Sequence, residues 1–254
     1  MLSTKEVVSK IDRLKNRYAA RDQRMRDVLS VRQGDISKVY PAMFSEDYPK
    51  PLVANFVDVA ARDLAEVMAP LPSFNCAATN MVSDTQRRAA DTRTRIANYY
   101  VASSDLQIQM YTGADYFNTY GLLPAMIEMD YETNNPRIRL LNPFGVYPEV
   151  DRFGRCLSIS QIIASDAESI ASQYPEFYDQ IVGKTVYSYA SPYLSIVRYH
   201  DKDQDLIFIP ERNNLVLSNT PNPVGKCLAR VALRSSLDGE ARGQFDDVLS
   251  VQLA

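Results

Sequence analysis

Tyr116-Phe117-Asn118-Thr119-Tyr120-Gly121-Leu122-Leu123-Pro124-Ala125-Met126-Ile127-Glu128-Met129-Asp130 is where the grammar of this 254-residue chain changes. Up to Tyr120 the apolar residues Leu106, Ile108, Met110, Tyr111, Tyr116, Phe117 and Tyr120 make a largely apolar helix beginning near Ser104. Gly121 is the expected left-handed terminator, because a residue without a Cβ takes positive φ at little cost. Beyond it, residues 122–131 begin a series of short, partly alternating runs that read as antiparallel strands.

Working toward the amino end, residues 3–30 carry Val7, Ile11, Leu14, Tyr18, Met25, Val28 and Leu29 at mostly three- and four-residue steps. Ser3 with Glu6 matches a capping box, so a long amphipathic helix is expected. Its other face is basic, with Lys5, Lys10, Arg13, Lys15, Arg17, Arg21, Arg24 and Arg26 outnumbering Glu6, Asp12, Asp22 and Asp27. The ordinary reading is a solvated face with some i,i+4 pairing; the sharper one is a surface near a polyanion or an acidic neighbouring subunit. Residues 31–50 hold Gly34, Pro41 and Pro49 without a sustained period and form a long loop. Its aromatics Tyr40, Phe44 and Tyr48 are candidates for packing on another subunit or on their own domain. Pro51 opens a second helix that ends before Pro70 and Pro72, residues 74–79 look extended, and Ser83 can cap a third helix exposing Arg87, Arg88, Arg93 and Arg95.

Toward the carboxyl end, strands are expected at 122–131, 136–141, 145–151, 156–164, 193–200, 206–210, 215–217 and 229–233. Ser165 can cap a short helix that Pro175 ends, and a second brief helix reaches Gly183. A last helix starts near Gln244 and is still running at Ala254, as though cut off by the chain end. The expected fold class is α+β: a helical block over 1–121, an antiparallel β-rich block over 122–238, and the start of a further helix over 239–254.

Composition narrows the function classes. Twenty-eight basic against 31 acidic residues leave a net charge of −3, so no whole-chain positive field marks a nucleic-acid binder. Three cysteines, Cys76, Cys156 and Cys227, lie far apart in sequence and fit neither a disulfide framework nor a zinc knuckle, which favours a reducing compartment. A single histidine, His200, removes HExxH and paired-histidine metal sites. No apolar run approaches about 18 residues, and the first nine lack a signal-peptide core, so the chain reads as cytosolic. Phosphate-cradling GxxxxGK[ST] and GxGxxG, and the GxSxG nucleophile elbow, do not occur.

The remaining candidates have bland explanations. His200 sits between Tyr199 and Asp201 at a strand end, where a structural role is expected. Asp201, Asp203 and Asp205 have the look of a calcium loop, but Leu206 and Arg212 occupy the places of its glycine and glutamate, leaving a polar hairpin turn. Asp246 and Asp247 resemble half of a two-metal pair, yet neighbours on a helix point about 100° apart, so they read as exposed acids at a helix start. Sixteen tyrosines without one tryptophan hint at assembly surfaces.

Taken in order, four stretches resemble a tailed-bacteriophage portal protein of the actinobacteriophage type. They are the first helix running into Arg32-Gln33-Gly34-Asp35; residues 51–72, ending Ala69-Pro70-Leu71-Pro72; the run from Tyr120-Gly121-Leu122-Leu123 to Tyr147-Pro148-Glu149-Val150-Asp151; and residues 239–253. Asn142-Pro143-Phe144-Gly145-Val146-Tyr147-Pro148 and Gly154 match the family's "l.p..vyP..d..g" segment, and Gly243, Asp246, Asp247, Val248 and Gln252 its "G.sd...v..lq" helix. The resemblance implies a homo-oligomeric ring of twelve subunits at one capsid vertex of the virion, assembled in the host cytoplasm. Its partners would be the major capsid protein, terminase and a head-tail connector, with double-stranded DNA moving through the channel during packaging and ejection. It implies no enzyme activity, no cofactor, no metal and no membrane, and a wing-like amino-terminal half whose stem and clip are not recognisable here. On this reading Tyr40, Phe44 and Tyr48 are subunit-interface candidates, while Arg13, Arg17, Arg24, Arg87 and Arg88 are candidates for facing a polyanion or an acidic neighbour. The alternatives are a nucleic-acid-processing enzyme or DNA-binding accessory factor, and a capsid or head-tail adaptor protein.

Overall fold

The first helix, α1 (Thr4–Arg32), forms where expected, and its capping box closes: Ser3 N–H donates to Glu6 Oε2 at 2.8 Å and Glu6 N–H to Ser3 Oγ at 3.4 Å. In this computed structural model, residues 1–35, 55–71, 73–130, 133–183, 192–234 and 241–246 are described. Tyr40, Phe44, Tyr48, Pro51 and the helix expected through 247–254 lie outside them. The other helices are α2 (Phe56–Met68), α3 (Asp84–Ser103), α4 (Leu106–Tyr120), α5 (Ala167–Gln173) and α6 (Tyr178–Val182). The strands are β1 (Leu122–Asp130), β2 (Asn135–Leu140), β3 (Val146–Val150), β4 (Cys156–Asp166), β5 (Tyr193–Asp201), β6 (Gln204–Ile209), β7 (Leu215–Pro221) and β8 (Ala229–Leu233). The fold is α+β with two antiparallel sheets, helices gathered toward the amino end and strands toward the carboxyl end.

Compactness divides the chain along a different line from composition. One unit joins Met1–Ala20 to Phe144–Val231, and the other joins Arg21–Pro143 to Ala232–Ala254. Both α1 and β8 therefore pass from one unit into the other.

The first unit is built on a five-stranded meander in the order β3-β4-β5-β6-β7. Its register places Val197 opposite Phe208 and Tyr199 opposite Leu206, so these four share one face, and Val7 and Ile11 of α1 pack on them. The alternate residues Leu194 and Ile209 turn the other way, where Ala167, Ile170, Ala171 and Ile181 of α5 and α6 cover them. Helix, sheet and helices thus form three layers. Strand β4 runs two residues past the expected end and takes in Ser165. The N-cap of α5 is instead Asp166, whose carboxylate accepts the Ser169 N–H at 2.8 Å.

In the second unit the sheet order is β2-β1-β8. Helix α2 buries Val57, Ala61 and Ala65 at four-residue steps. Gly121 ends α4 at φ 70°, as its position predicts, and a Cβ there would meet the Arg242 backbone at 2.4 Å. The outer edge of β2 is closed by side chains from the α3–α4 corner: Ile138 N–H donates to Ser104 Oγ at 2.9 Å and Leu140 N–H to Gln109 Oε1 at 2.9 Å. No strand forms over residues 74–79; there the Cys76 N–H is taken up by Thr94 Oγ1 at 2.9 Å.

Candidate functional site: a charged groove with two cysteines

Strand pairing brings residues distant in sequence to one end of the meander. Glu149 faces Ser158, which faces Asp201, while Tyr199 lies two residues back along β5 on the same face. Lys10 of α1 reaches this row: its Nζ is 2.7 Å from Glu149 Oε2 and donates to Tyr199 Oη at 3.1 Å. Tyr199 Oη in turn donates to Asp201 Oδ2 at 2.8 Å, and Asp201 Oδ1 accepts the N–H groups of Asp203 and Gln204 at 2.7 and 2.9 Å. The polar turn expected at the aspartate cluster is therefore present, with Asp201 organising the β5–β6 hairpin.

Lys10, Glu149, Tyr199, Asp201 and Asp203 line a groove of about 710 Å³ whose walls also include Cys156, Cys227, Lys226 and Arg230. Burial works against the charge on Lys10, but the hydrogen bonds and charges of Glu149 and Tyr199 prevail and raise its pKa. Burial likewise raises Glu149, and the Lys10 hydrogen bond and charge overcome it, leaving the carboxyl below its ordinary range. Burial of Tyr199 outweighs the Lys10 contact, and its phenol is pushed up. The row is thus an ionised Lys10–Glu149 pair beside a neutral tyrosine.

Cys156 and Cys227, separated by 71 residues in sequence, bring their Sγ atoms within 3.9 Å. Both are buried and both are free thiols. Sequence separation gives no hint of this, because the meander returns the chain to the start of β4 just before β8. Each thiol acts on the other: contact with Cys156 lowers Cys227, against burial and with help from the Ala229 backbone and from the Arg230 charge. Contact with Cys227, and then burial, raises Cys156.

Behind the groove, His200 has the structural role its position predicts. Its Nε2 accepts the Leu228 N–H at 3.1 Å, which places the ring proton of the neutral imidazole on Nδ1, 3.8 Å from Asp205 Oδ2. Asp205 also receives Nε and Nη2 of Arg198 at 3.0 and 2.6 Å.

The candidate arginines are shared between the two units, Arg13 and Arg17 in the first and Arg24, Arg87 and Arg88 in the second. Arg13 pairs with Glu149 at 3.3 Å, and the Arg17 guanidinium lies 5.8 Å from the Tyr18 ring centroid. In the second unit Arg24 pairs with Asp246 at 3.6 Å, Arg87 pairs with Asp84, and Arg88 is exposed. Asp246 differs from its expected exposure: its side chain is only 7% exposed, because it is enclosed by Arg24 and accepts the Gly243 N–H at 3.2 Å. Asp247 lies outside the described residues.

A second, half-buried node escapes sequence reading altogether. Arg32 at the end of α1 gives Nη1 to Asp115 of α4 at 2.9 Å and Nε and Nη2 to Asp58 of α2 at 3.0 and 2.9 Å. One guanidinium fork thereby ties three helices. Among the described residues no group of three or more His, Cys, Asp and Glu side chains is placed to hold a metal ion, and no helix is long and apolar enough to cross a membrane. Compared with known proteins, the chain matches no protein-family model and no curated protein.

Proposed function

We propose that this chain is the subunit of a portal-type ring at a bacteriophage capsid vertex, acting by shape and self-association on a passage for double-stranded DNA. Terminase, the major capsid protein and a head-tail connector are the partners this reading implies. The observation that carries it is the outer face of α2. Its inner face is already filled through Val57, Ala61 and Ala65, while Phe56, Val59 and Val67 stand 72, 57 and 78% exposed, with Leu64 and Met68 beside them. Exposed apolar side chains in this number, set around the exposed Asp63 and Glu66 on a helix that has already satisfied its own core, mark an association surface, and a second copy of the chain is the covering partner that ring closure supplies.

Two further observations support the reading. The helices-then-antiparallel-strands order is the one that the resemblance requires. Lys10, Arg13, Arg24 and Arg87 are each matched by a carboxylate, which suits a passage for DNA, since every unmatched cation adds affinity through counterion release and slows a moving duplex. A carboxylate nuclease is less well served, because Asp246 is committed to Arg24 and Gly243.

Electron microscopy of the purified protein tests the proposal. Closed rings with an axial hole are expected; a monodisperse monomer overturns it, and a flat shell lattice or a small collar without a channel transfers the protein to the capsid or adaptor class.

A further inference from the structure

We infer that Cys156 and Cys227 form a redox-active dithiol that exchanges with a low-molecular-weight disulfide of the glutathione type and closes into an intrachain disulfide across the groove. The inference stands on geometry within one compact unit and does not depend on ring formation.

Three features carry it. The sulfurs are 3.9 Å apart, and the bond needs about 2.05 Å, a difference that side-chain rotation and a small backbone shift can cover. Neither cysteine is locked in mid-ladder. Cys156 is the first residue of β4, paired to Val150 where the β3–β4 register shifts, and Cys227 lies in the irregular stretch between the turn at 223–226 and β8. Both thiols line a groove of about 710 Å³ that admits a small disulfide, with Lys226 and Arg230 in its wall to receive an acidic peptide such as glutathione.

The pair is also chemically asymmetric. The shared hydrogen bond and the neighbouring Arg230 charge favour the thiolate on Cys227, whereas Cys156 keeps its proton. Cys227 is therefore the attacking sulfur. Its thiolate forms a bond to one sulfur of the small disulfide, the old S–S bond breaks, and one small thiolate departs. Cys156 then gives up its proton to that departing thiolate or to water and attacks the Cys227 sulfur, expelling the second small thiolate. In total two protein thiols are oxidised to one disulfide and one small disulfide is reduced to two thiols. The new bond ties the start of β4 to the segment entering β8 and removes both thiols from the groove.

The test uses the whole protein, equilibrated natively in glutathione buffers from reducing to oxidising, acid-quenched, alkylated and mapped by mass spectrometry. The expected result is a peptide pair joined through Cys156 and Cys227, reversed by excess reduced glutathione and equally present in Cys76→Ser. Cys156→Ser should trap glutathione on Cys227, and Cys227→Ser should show several-fold slower adduct formation at Cys156. An oxidised native protein with no Cys156–Cys227 link, a link that forms only in denaturant, or cross-linking through Cys76 instead overturns the inference. Because the native-sequence protein gives the primary readout, a variant that misfolds leaves the test intact.

Discussion

Asp205 shows how one side chain can carry a measurable share of stability. Burial alone would raise its carboxyl, but the His200 ring N–H 3.8 Å away, together with the hydrogen bonds and charge of Arg198, prevails and holds it at about 2. A folded-state value below the unfolded one means the stabilisation is complete above about pH 4 and is lost as pH falls toward 2. The difference is worth about 2 kcal/mol. Asp205→Asn should therefore lower unfolding free energy by about that amount at pH 7, with the gap to the native sequence closing near pH 2 to 3 in urea titrations. A gap unchanged with pH would show that Asp205 acts by packing alone. Gly243 makes a second test, because a Cβ there would lie 1.9 Å from the Thr119 carbonyl oxygen, with only backbone to give way. Gly243→Ala should force residues 241–246 off the end of α4, breaking the Gln244 N–H to Asn118 carbonyl bond of 2.7 Å. Faster hydrogen exchange at Gln244 would report it.

Among elements, the junction of α1, α2 and α4 depends on a single fork. Removing Arg32 leaves the carboxylates of Asp58 and Asp115 without their shared cation, although Arg62 still reaches the other oxygen of Asp58 at 2.7 Å. Arg32→Met should cost about 3 kcal/mol by chemical denaturation, and Arg32→Lys should recover only part of it, since one ammonium cannot bridge two carboxylates bidentately. Loss below about 0.5 kcal/mol from Arg32→Met would mean solvent screens the node. This junction also marks where sequence reading stops. Elements set by local chemistry were legible: the Ser3–Glu6 box, the Gly121 stop, the Asp201 hairpin, and strands whose alternation matches a sheet face. Features set by chain return were not. Arg32 meets partners 26 and 83 residues away, and Cys156 meets Cys227 across 71, with no periodicity to announce either. Asp246 misled because its neighbours suggest a helix start, while its surroundings come from Arg24.

For the whole molecule, the decisive question is whether the outer face of α2 is a seam between copies. Val59 and Val67 are exposed and make no part of the core that Val57, Ala61 and Ala65 fill, so charges placed there should leave the isolated fold within about 0.5 kcal/mol of its starting stability. In a ring the same charges would be buried at every repeated junction, where each unpaired carboxylate costs several kcal/mol, and closure multiplies the penalty by the number of junctions. Val59→Asp with Val67→Asp should therefore convert rings to monomers in mass photometry while circular dichroism and the unfolding midpoint stay near those of the native sequence. If rings form undiminished, the seam lies on another face and α2 meets a different partner. If the monomers are also unfolded, these side chains belong to the core of the chain, and the argument for self-association from α2 fails.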